Sequence, residues 1–393
     1  MQSKTRPLHV LMVLEAAYPA WKGGGAEAQV RTLSRGLRRR GHRVTVVVPR
    51  LRWGPQETLS RLDGVPVYRL SYPRVPMLSG PLMWLALALF LWRRRDKYDA
   101  WHVHIAHHMA AVCAVLGKAL DQRVLTKVSG WWELEKGTLA PRPKPLNRLA
   151  RLLLGSTAQW QAISQRIAAT LVERGIAADR IVLLPNAVNS ERFAHIQHPP
   201  EAATRFVFIG RLEPEKDLMM LMEAFAETAR AHPDAQLLLV GSGSLDGPLR
   251  ERARAFGIEA QVVFAGHRDD IEAMLAQANV GVLCSRIEGL SNTLLESMAA
   301  GLPMVASRIS GNEDFIRDGE NGWLFDAGNC AQLAQCLRRA ADTDGRQRQQ
   351  MGENARRSVH QRAGLDTILT RLLALYAGKP VALTPSPVPK QSY

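Results

Sequence analysis

The chain has 393 residues, 46% hydrophobic and 22% charged, a globular balance that excludes fibrous and disordered classes. That length exceeds what one hydrophobic core serves, so two domains are expected. Lys and Arg number 51 against 36 Asp and Glu, and the net charge of +15 suits polyanionic partners, whether nucleic acid, anionic lipid or phosphorylated small molecules.

Residues 8–14 follow Lys4 and Arg6 but are short and run directly into Glu15, which reads as a first strand and not as a secretory leader. Gly23, Gly24 and Gly25 then precede a helix over residues 26–40. Glycines between a strand and a helix let backbone approach a ligand closely, or simply make a turn. On that helix Arg31, Arg35 and Arg38 recur at i, i+4 and i+7, either as a solvated face or as an attraction for anionic lipid. Residues 44–48 read as a second buried strand. Residues 82–92 form an apolar run of 11 followed by Arg93, Arg94 and Arg95, too short for a bilayer span of about 20 residues. A buried helix, or one lying at a membrane surface, fits instead.

Strands are expected again at 101–105 and 123–128. His102 and His104 share a face of the first of these by their i, i+2 spacing. His107 and His108 follow and make a metal cluster conceivable, but no carboxylate or cysteine completes it, so no metal site is expected. The four cysteines form neither a CxxC pair nor a disulfide framework, which suits a reducing cytoplasm. The strand–helix alternation restarts after Pro199 and Pro200, with strands at 205–209, 237–240, 262–264, 280–284 and 304–307, and a helix over 218–232. An amphipathic helix spans 365–376, and the Pro- and Ser-containing tail beyond residue 378 is expected to be disordered.

The fold class is therefore α/β, with two Rossmann-like parallel-sheet domains facing across a cleft. The expected boundaries are 1–195, rejoined by a C-terminal helix over 362–378, and 202–361, with a tail over 379–393. The most informative stretch runs from Arg286 to Glu296. Gly289, Ser291 and Asn292 make a loop and helix N-cap, and Gly301 and Pro303 stop the helix. Amides at such a helix start cradle phosphate. Glu288 stands before the helix and Glu296 within it.

This E-x7-E stretch, EGLSNTLLE followed by SMAAGLPMVAS, resembles the retaining glycosyltransferases of the GT4 type with the GT-B fold. The resemblance continues through FIGRLEPEKD at 208–217, LLVGSG at 238–243 and FAGH at 264–267. It implies a metal-independent transfer of sugar from a nucleotide diphosphate, UDP favoured, to a glycan or lipid-linked acceptor, with no cofactor, in the cytoplasm or peripherally on the inner face of the membrane. Arg211 and Lys216 would hold the diphosphate. Glu288 would sit near the transferred sugar, and Glu296 would bind the ribose. Backbone of Ser291, Asn292 and Thr293 would meet sugar and phosphates. Arg268 matches where the base is held, largely through backbone. The first half, with Gly24 and Gly25, would take the acceptor, and His104 would be an active-site hydrogen-bond donor.

Departures occur at Asn186–Asn189, where many relatives carry NGVD, and at Ile309–Glu313, where a Gly-Gly pair is common. The loop with Trp131 and Trp132 is unfamiliar and reads as a determinant of acceptor choice. Another activity on the same fold, an epimerase or a phosphorylase, is the alternative. A nicotinamide oxidoreductase is disfavoured because Gly241, Gly243 and Gly247 are misspaced and Gln261 replaces the expected acid. No nucleic-acid reader motif is present, so nucleic acid is not an expected partner.

Overall fold

The computed structural model describes residues 6–19, 24–198 and 203–379. The chain divides into two compact units, Met1–Ala187 with Leu365–Tyr393, and Val188–Gly364. The passage between them lies at residues 187–188 and again at 364–365, instead of at the 195–202 stretch suggested by its prolines. Pro199 and Pro200, and the tail beyond residue 379, lie outside the described residues.

In unit 1 the strands are β1 (His9–Leu14), β2 (Arg43–Pro49), β3 (Leu59–Leu62), β4 (Val65–Leu70), β5 (Ala100–His104), β6 (Val124–Val128), β7 (Gln159–Ala162) and β8 (Ile181–Leu183). Its helices are α1 (Gly25–Arg39), α2 (Ser79–Trp92), α3 (His108–Ala119), α4 (Trp131–Glu135), α5 (Pro145–Leu154) and α6 (Gln165–Glu173). The sheet order is β3-β4-β2-β1-β5-β6-β7-β8, and every pairing is parallel except β3 with β4. The β3–β4 hairpin went unread in the sequence because its solvent-facing edge strand alternates weakly. Buried runs such as Val10–Leu14 are fully apolar because helices cover the sheet, the pattern that parallel strands impose.

Asp63, at the β3–β4 turn with φ of 51°, accounts for the basic face of α1. It takes Arg31 (Nε–Oδ2 2.7 Å) and Arg35 (Nη2–Oδ1 2.7 Å), while Arg38 donates to its carbonyl. Those two guanidiniums hold the Asp63 carboxyl well below the usual carboxylate range. The arginine stripe is thus spent largely on its own sheet edge. The apolar run is α2, which buries Met83, Leu87, Phe90 and Leu91 and exposes Leu85, Leu89 and Trp92. Among the described residues no helix is long and apolar enough to cross a membrane.

Unit 2 holds β9 (Arg205–Ile209), α7 (Leu218–Ala231), β10 (Gln236–Val240), α8 (Asp246–Phe256), β11 (Val262–Gly266), α9 (Ile271–Ala276), β12 (Val280–Leu283), α10 (Asn292–Ala299), β13 (Met304–Ser307), α11 (Asn312–Phe315), β14 (Gly322–Phe325), α12 (Cys330–Asp342) and α13 (Gly345–Ala363). The all-parallel order β11-β10-β9-β12-β13-β14 is the doubly wound Rossmann arrangement. Its winding reverses between β9 and β12, and the crevice at the carboxyl ends of those strands is where such sheets bind ligands.

Helix α14 (Leu365–Tyr376) returns to unit 1. Its Leu365, Ile368, Leu369, Leu372 and Leu375 join the core formed with Val30, Leu33 and Leu37 of α1 and the inner face of the sheet. Gly36 is what lets the helices meet, since a Cβ there would stand 2.6 Å from Leu369 Cδ1. Leu369→Ala is expected to cost about 3 kcal/mol, transfer plus cavity, because the side chain is fully buried between packed helices. Urea unfolding with a probe in unit 1 checks this; a loss below about 1 kcal/mol means α14 does not complete that core.

Candidate active site

In unit 2, the loop after β9 and the loop after β12 close on each other at the switch point. Gly210 leaves β9 with φ of 159°. Gly241 leaves β10 with φ of 142°, and a Cβ on it would fall 1.8 Å from the Gly210 carbonyl oxygen. Arg211 and Leu212 then lead into a 3-10 turn, Pro214–Lys216, that ends at Asp217 in the left-handed region (φ 55°). This turn is bound to the β12 loop at several points. Arg286 N–H donates to the Glu215 carbonyl (3.0 Å), and the Arg286 guanidinium grips Asp217 (Nε–Oδ2 2.8 Å). The buried Cys284 thiol donates to the Lys216 carbonyl (3.0 Å). Lys216 Nζ meets Glu288 Oε1, with both side chains largely covered. Ser285 Oγ also donates to Glu288 (3.2 Å).

The β12 loop is held from behind. Ser307 Oγ donates to the Ser285 carbonyl (2.7 Å) and Ser310 Oγ to the Gly289 carbonyl (3.2 Å). Gly311, at φ 85°, passes so close that a Cβ would sit 2.5 Å from the Gly289 oxygen. The loop therefore delivers Ser291 in fixed position as N-cap of α10, its Oγ facing the Leu294 N–H (3.5 Å). Asn292 and Thr293 form the first turn of α10, whose amides and dipole favour an anion.

The sequence-derived residues thus fall into groups. Lys216, Glu288 and the Ser291–Thr293 turn stand on two interlocked loops. Arg211 lies on the same β9 loop, half exposed, in an i, i+4 ion pair with Glu215 (2.6 Å). Arg268, after β11, is bidentate with its neighbour Asp270 at the surface (2.8 and 2.6 Å).

Glu296, one turn into α10, is half-buried, and burial pushes its carboxyl up to about 7, with the Arg192 charge opposing that rise. Arg192 itself is bidentate to Glu272, Nη2 lying 2.6 Å from Oε2. Neither Arg192 nor Glu272 was singled out from sequence, because they lie 104 and 24 residues from Glu296 and carry no motif. Arg286 and Asp217 stand at the ends of the two motif stretches, but no site role was read for them from sequence.

In unit 1, His104 differs from expectation. It is fully buried on β5, stacked on His102 (ring centroids 4.2 Å), with Nε2 3.3 Å from Met12 Sδ. Burial holds its pKa well below the usual histidine value. A ring without exposed surface cannot donate to a ligand as placed. The i, i+2 spacing did put both rings on one face, but that face is the core: His102 bonds Tyr376 OH of α14 (2.7 Å) and Gln161 Oε1 (3.0 Å). Beside them Lys127 is buried against Asn186 Oδ1 (2.7 Å), its pKa lowered to about 7 by desolvation.

Gly24 caps α1 at an ordinary extended φ of −142°, which any residue adopts, but a Cβ there would stand 2.0 Å from Glu27 Oε2, so the Glu27 side chain would have to move; Gly25 is the first helical residue. Gly23 lies outside the described residues. His107 and His108 do meet a carboxylate, contrary to the sequence reading: Glu15, 92 residues before His107, offers a ligand atom within 4.8 Å of theirs.

With this geometry in hand, the sequence profile of glycosyl transferases group 1 matches residues 190–358, and that of glycosyltransferase family 4 matches residues 23–192. The chain belongs to this glycosyltransferase family. It is an enzyme of the hexosyltransferase type. A lipopolysaccharide core biosynthesis glycosyltransferase of Rhizobium meliloti is 33% identical over 181 residues, 46% of this chain, and the match spans 52% of that relative's length. An N-acetyl-α-D-glucosaminyl L-malate synthase of Bacillus anthracis is 24% identical over 91% of this chain and 94% of its own. Among solved structures, Anabaena HepE in complex with UDP superposes with a TM-score of 0.77 at 20% identity, covering 94% of this chain and 100% of that one. That likeness places both units in the GT-B fold.

Because the raised Glu296 carboxyl binds its proton more tightly folded than unfolded, the stability linked to it is complete below about pH 4.5 and is lost as pH rises through about 7. Glu296→Gln should flatten part of the fall in unfolding free energy between pH 5 and 8. Urea titrations across that range read it, and an unchanged slope means the carboxyl is solvated.

Proposed function

We propose that the enzyme transfers a sugar from a nucleotide diphosphate sugar, UDP favoured, to a glycan or lipid-linked acceptor with retention of configuration, and without a metal at the pyrophosphate. The observation that carries this reading is the Lys216–Glu288 contact set beside the start of α10. Glu288 holds the ammonium in place until the donor diphosphate replaces it, and the first-turn amides of α10 take the adjoining phosphate. Arg211, released from Glu215, adds a planar guanidinium that grips phosphate with two donors. The UDP and UDP-glucose complexes of HepE support a uridine nucleotide as the donor carrier.

In the proposed step the acceptor hydroxyl oxygen bonds the anomeric carbon on the face from which the phosphate leaves. The anomeric C–O bond breaks, its electron pair goes to the diphosphate, and the acceptor proton passes to a leaving phosphate oxygen. Lys216 and Arg211 stabilise the charge that builds there, the role of preorganised electrostatics in such sites. Glu288, once freed, faces the transferred sugar. Glu296 accepts from the ribose hydroxyls, Arg268 contributes backbone at the base, and Gly24 and Gly25 border the acceptor. No role is assigned to His104. Lys216→Ala and Arg211→Ala are each expected to lower kcat by about 10²–10³. Steady-state transfer from a radiolabelled UDP-sugar to membrane extract measures this. Unchanged turnover in both variants would remove the assignment, and donor consumed with no acceptor product would favour an epimerase.

A cytoplasmic, peripheral location is part of the proposal. Leu85, Leu89 and Trp92 of α2, with Leu149 and Leu152 of α5, are exposed, and Arg93, Arg94 and Arg95 follow α2. A Cβ added at Gly80 would stand 3.1 Å from Leu146 Cδ2, so the two helices share a side of unit 1. Apolar insertion with basic residues at headgroup level suits an anionic surface. Sedimentation with phosphatidylglycerol vesicles should be salt-sensitive and fall severalfold in a Leu85→Glu, Leu89→Glu variant; equal pelleting of the two proteins contradicts it.

A further inference from the structure

The first sheet has its own reversal of winding, between β1 and β5, and there too the carboxyl ends define a crevice. Glu15 is the residue directly after β1. His107 and His108 come three and four residues after β5. The chain reaches them through Ile105, a β-branched residue held at φ 79°, a conformation that costs energy and persists only where surrounding contacts enforce it. Ala106 N–H is fixed by Glu133 Oε1 (2.7 Å). The strained turn brings both imidazoles over the end of β1.

We propose that Glu15, His107 and His108 form a binding site for one divalent transition cation of the zinc class. One ligand atom from each lies within 4.8 Å of the other two. A tetrahedral zinc with bonds near 2 Å sets donors about 3.3 Å apart, so a closure of at most about 1.5 Å completes the set. The far nitrogen of each ring is already tied. His108 Nε2 faces Asn147 Oδ1 (2.7 Å), and His107 Nδ1 meets Thr138 Oγ1. Asn147 Oδ1 accepts the His108 ring N–H and leaves His108 Nδ1 to carry a lone pair, while the Thr138 hydroxyl is able to accept from His107 Nδ1 in the tautomer that leaves His107 Nε2 to carry one, the outer-shell arrangement typical of metal-binding histidines.

The rings stack on each other (4.0 Å), and Trp84 and Trp132 stand edge-on to His108 and His107 (5.6 and 5.2 Å), so their orientation is set by packing. Glu15 Oε2 accepts from Met109 N–H (2.6 Å), which anchors the carboxylate while leaving acceptor capacity on it. All three residues are half-buried, hence reachable from solution. Two imidazoles and one carboxylate suit zinc over magnesium or calcium, and three protein ligands leave a position for an oxygen donor such as water, a hydroxyl or a phosphate.

All three residues belong to unit 1, and the proposal stands or falls independently of the transfer chemistry. The test uses the untagged full-length chain, freed of metal by chelator dialysis, titrated calorimetrically with Zn²⁺ and spectroscopically with Co²⁺. One equivalent should bind, with a Co²⁺ visible band displaced by Zn²⁺. Glu15→Gln, which keeps an acceptor for the Met109 amide, and His108→Ala should each weaken binding at least tenfold. His232→Ala, which alters a surface histidine paired with Asp342, should leave it unchanged. Circular dichroism and UDP binding show that the variants are folded. Zn²⁺ binding that survives both substitutions, or no saturable binding below about 1 mM, overturns the proposal.

Discussion

The candidate active site depends on one constraint: two loops, after β9 and after β12, must be rigid relative to each other for a cation and a helix start to converge on one anion. Strand pairing alone does not achieve this, since β9 and β12 share only Phe206–Val280 and Val207–Gly281 before their ends part. The gap is closed by side chains and backbone working across it. The Arg286 amide and guanidinium, the Cys284 thiol and the Lys216–Glu288 contact all join the same two loops. Preorganisation of this kind lets electrostatics act without reorganisation when charge develops. It also explains the glycines at 210, 241 and 311, two of which bring backbone within reach of a neighbouring carbonyl that any side chain would strike.

Much of this was legible in the sequence because the information is local. Residues 205–209 read as a strand from the apolar run at 206–209, and Ser291 read as a cap from its place before a helical pattern. Helix α14 was found at its observed limits by its 3.6-residue period. What escaped depends on contacts between distant segments. The hydrophobic pattern placed His102 and His104 on one face of β5 but carried no sign of which face is covered; α14, some 270 residues later, covers it. The same limit hid Glu15 from His107. An arginine stripe on α1 looked free for lipid until Asp63, on a hairpin the sequence did not disclose, claimed two of its members.

The two units also differ in how they treat buried polarity. In unit 2 the polar groups near the switch point are paired and partly open to solvent. In unit 1 a layer of His102, His104, Lys127 and Gln161 runs across adjacent strands in the interior. Burial drives the two histidines and the lysine toward their neutral forms, and the Tyr376 hydroxyl, Gln161 and Asn186 supply the hydrogen bonds that make such a layer affordable. This layer ties the sheet to α14 by directional bonds as well as by apolar packing.

That α14 is the last described helix of the chain yet belongs to the first unit has a bearing on biosynthesis. As the polypeptide leaves the ribosome, α1 presents Val30, Leu33 and Leu37 with the helix that covers them not yet made. The intervening Val188–Gly364 segment takes on the order of ten to thirty seconds to translate at about 5–20 residues per second. The second unit, being continuous in sequence, is free to finish folding during that interval. The core of the first unit therefore waits for its last helix until the whole of the second has been translated.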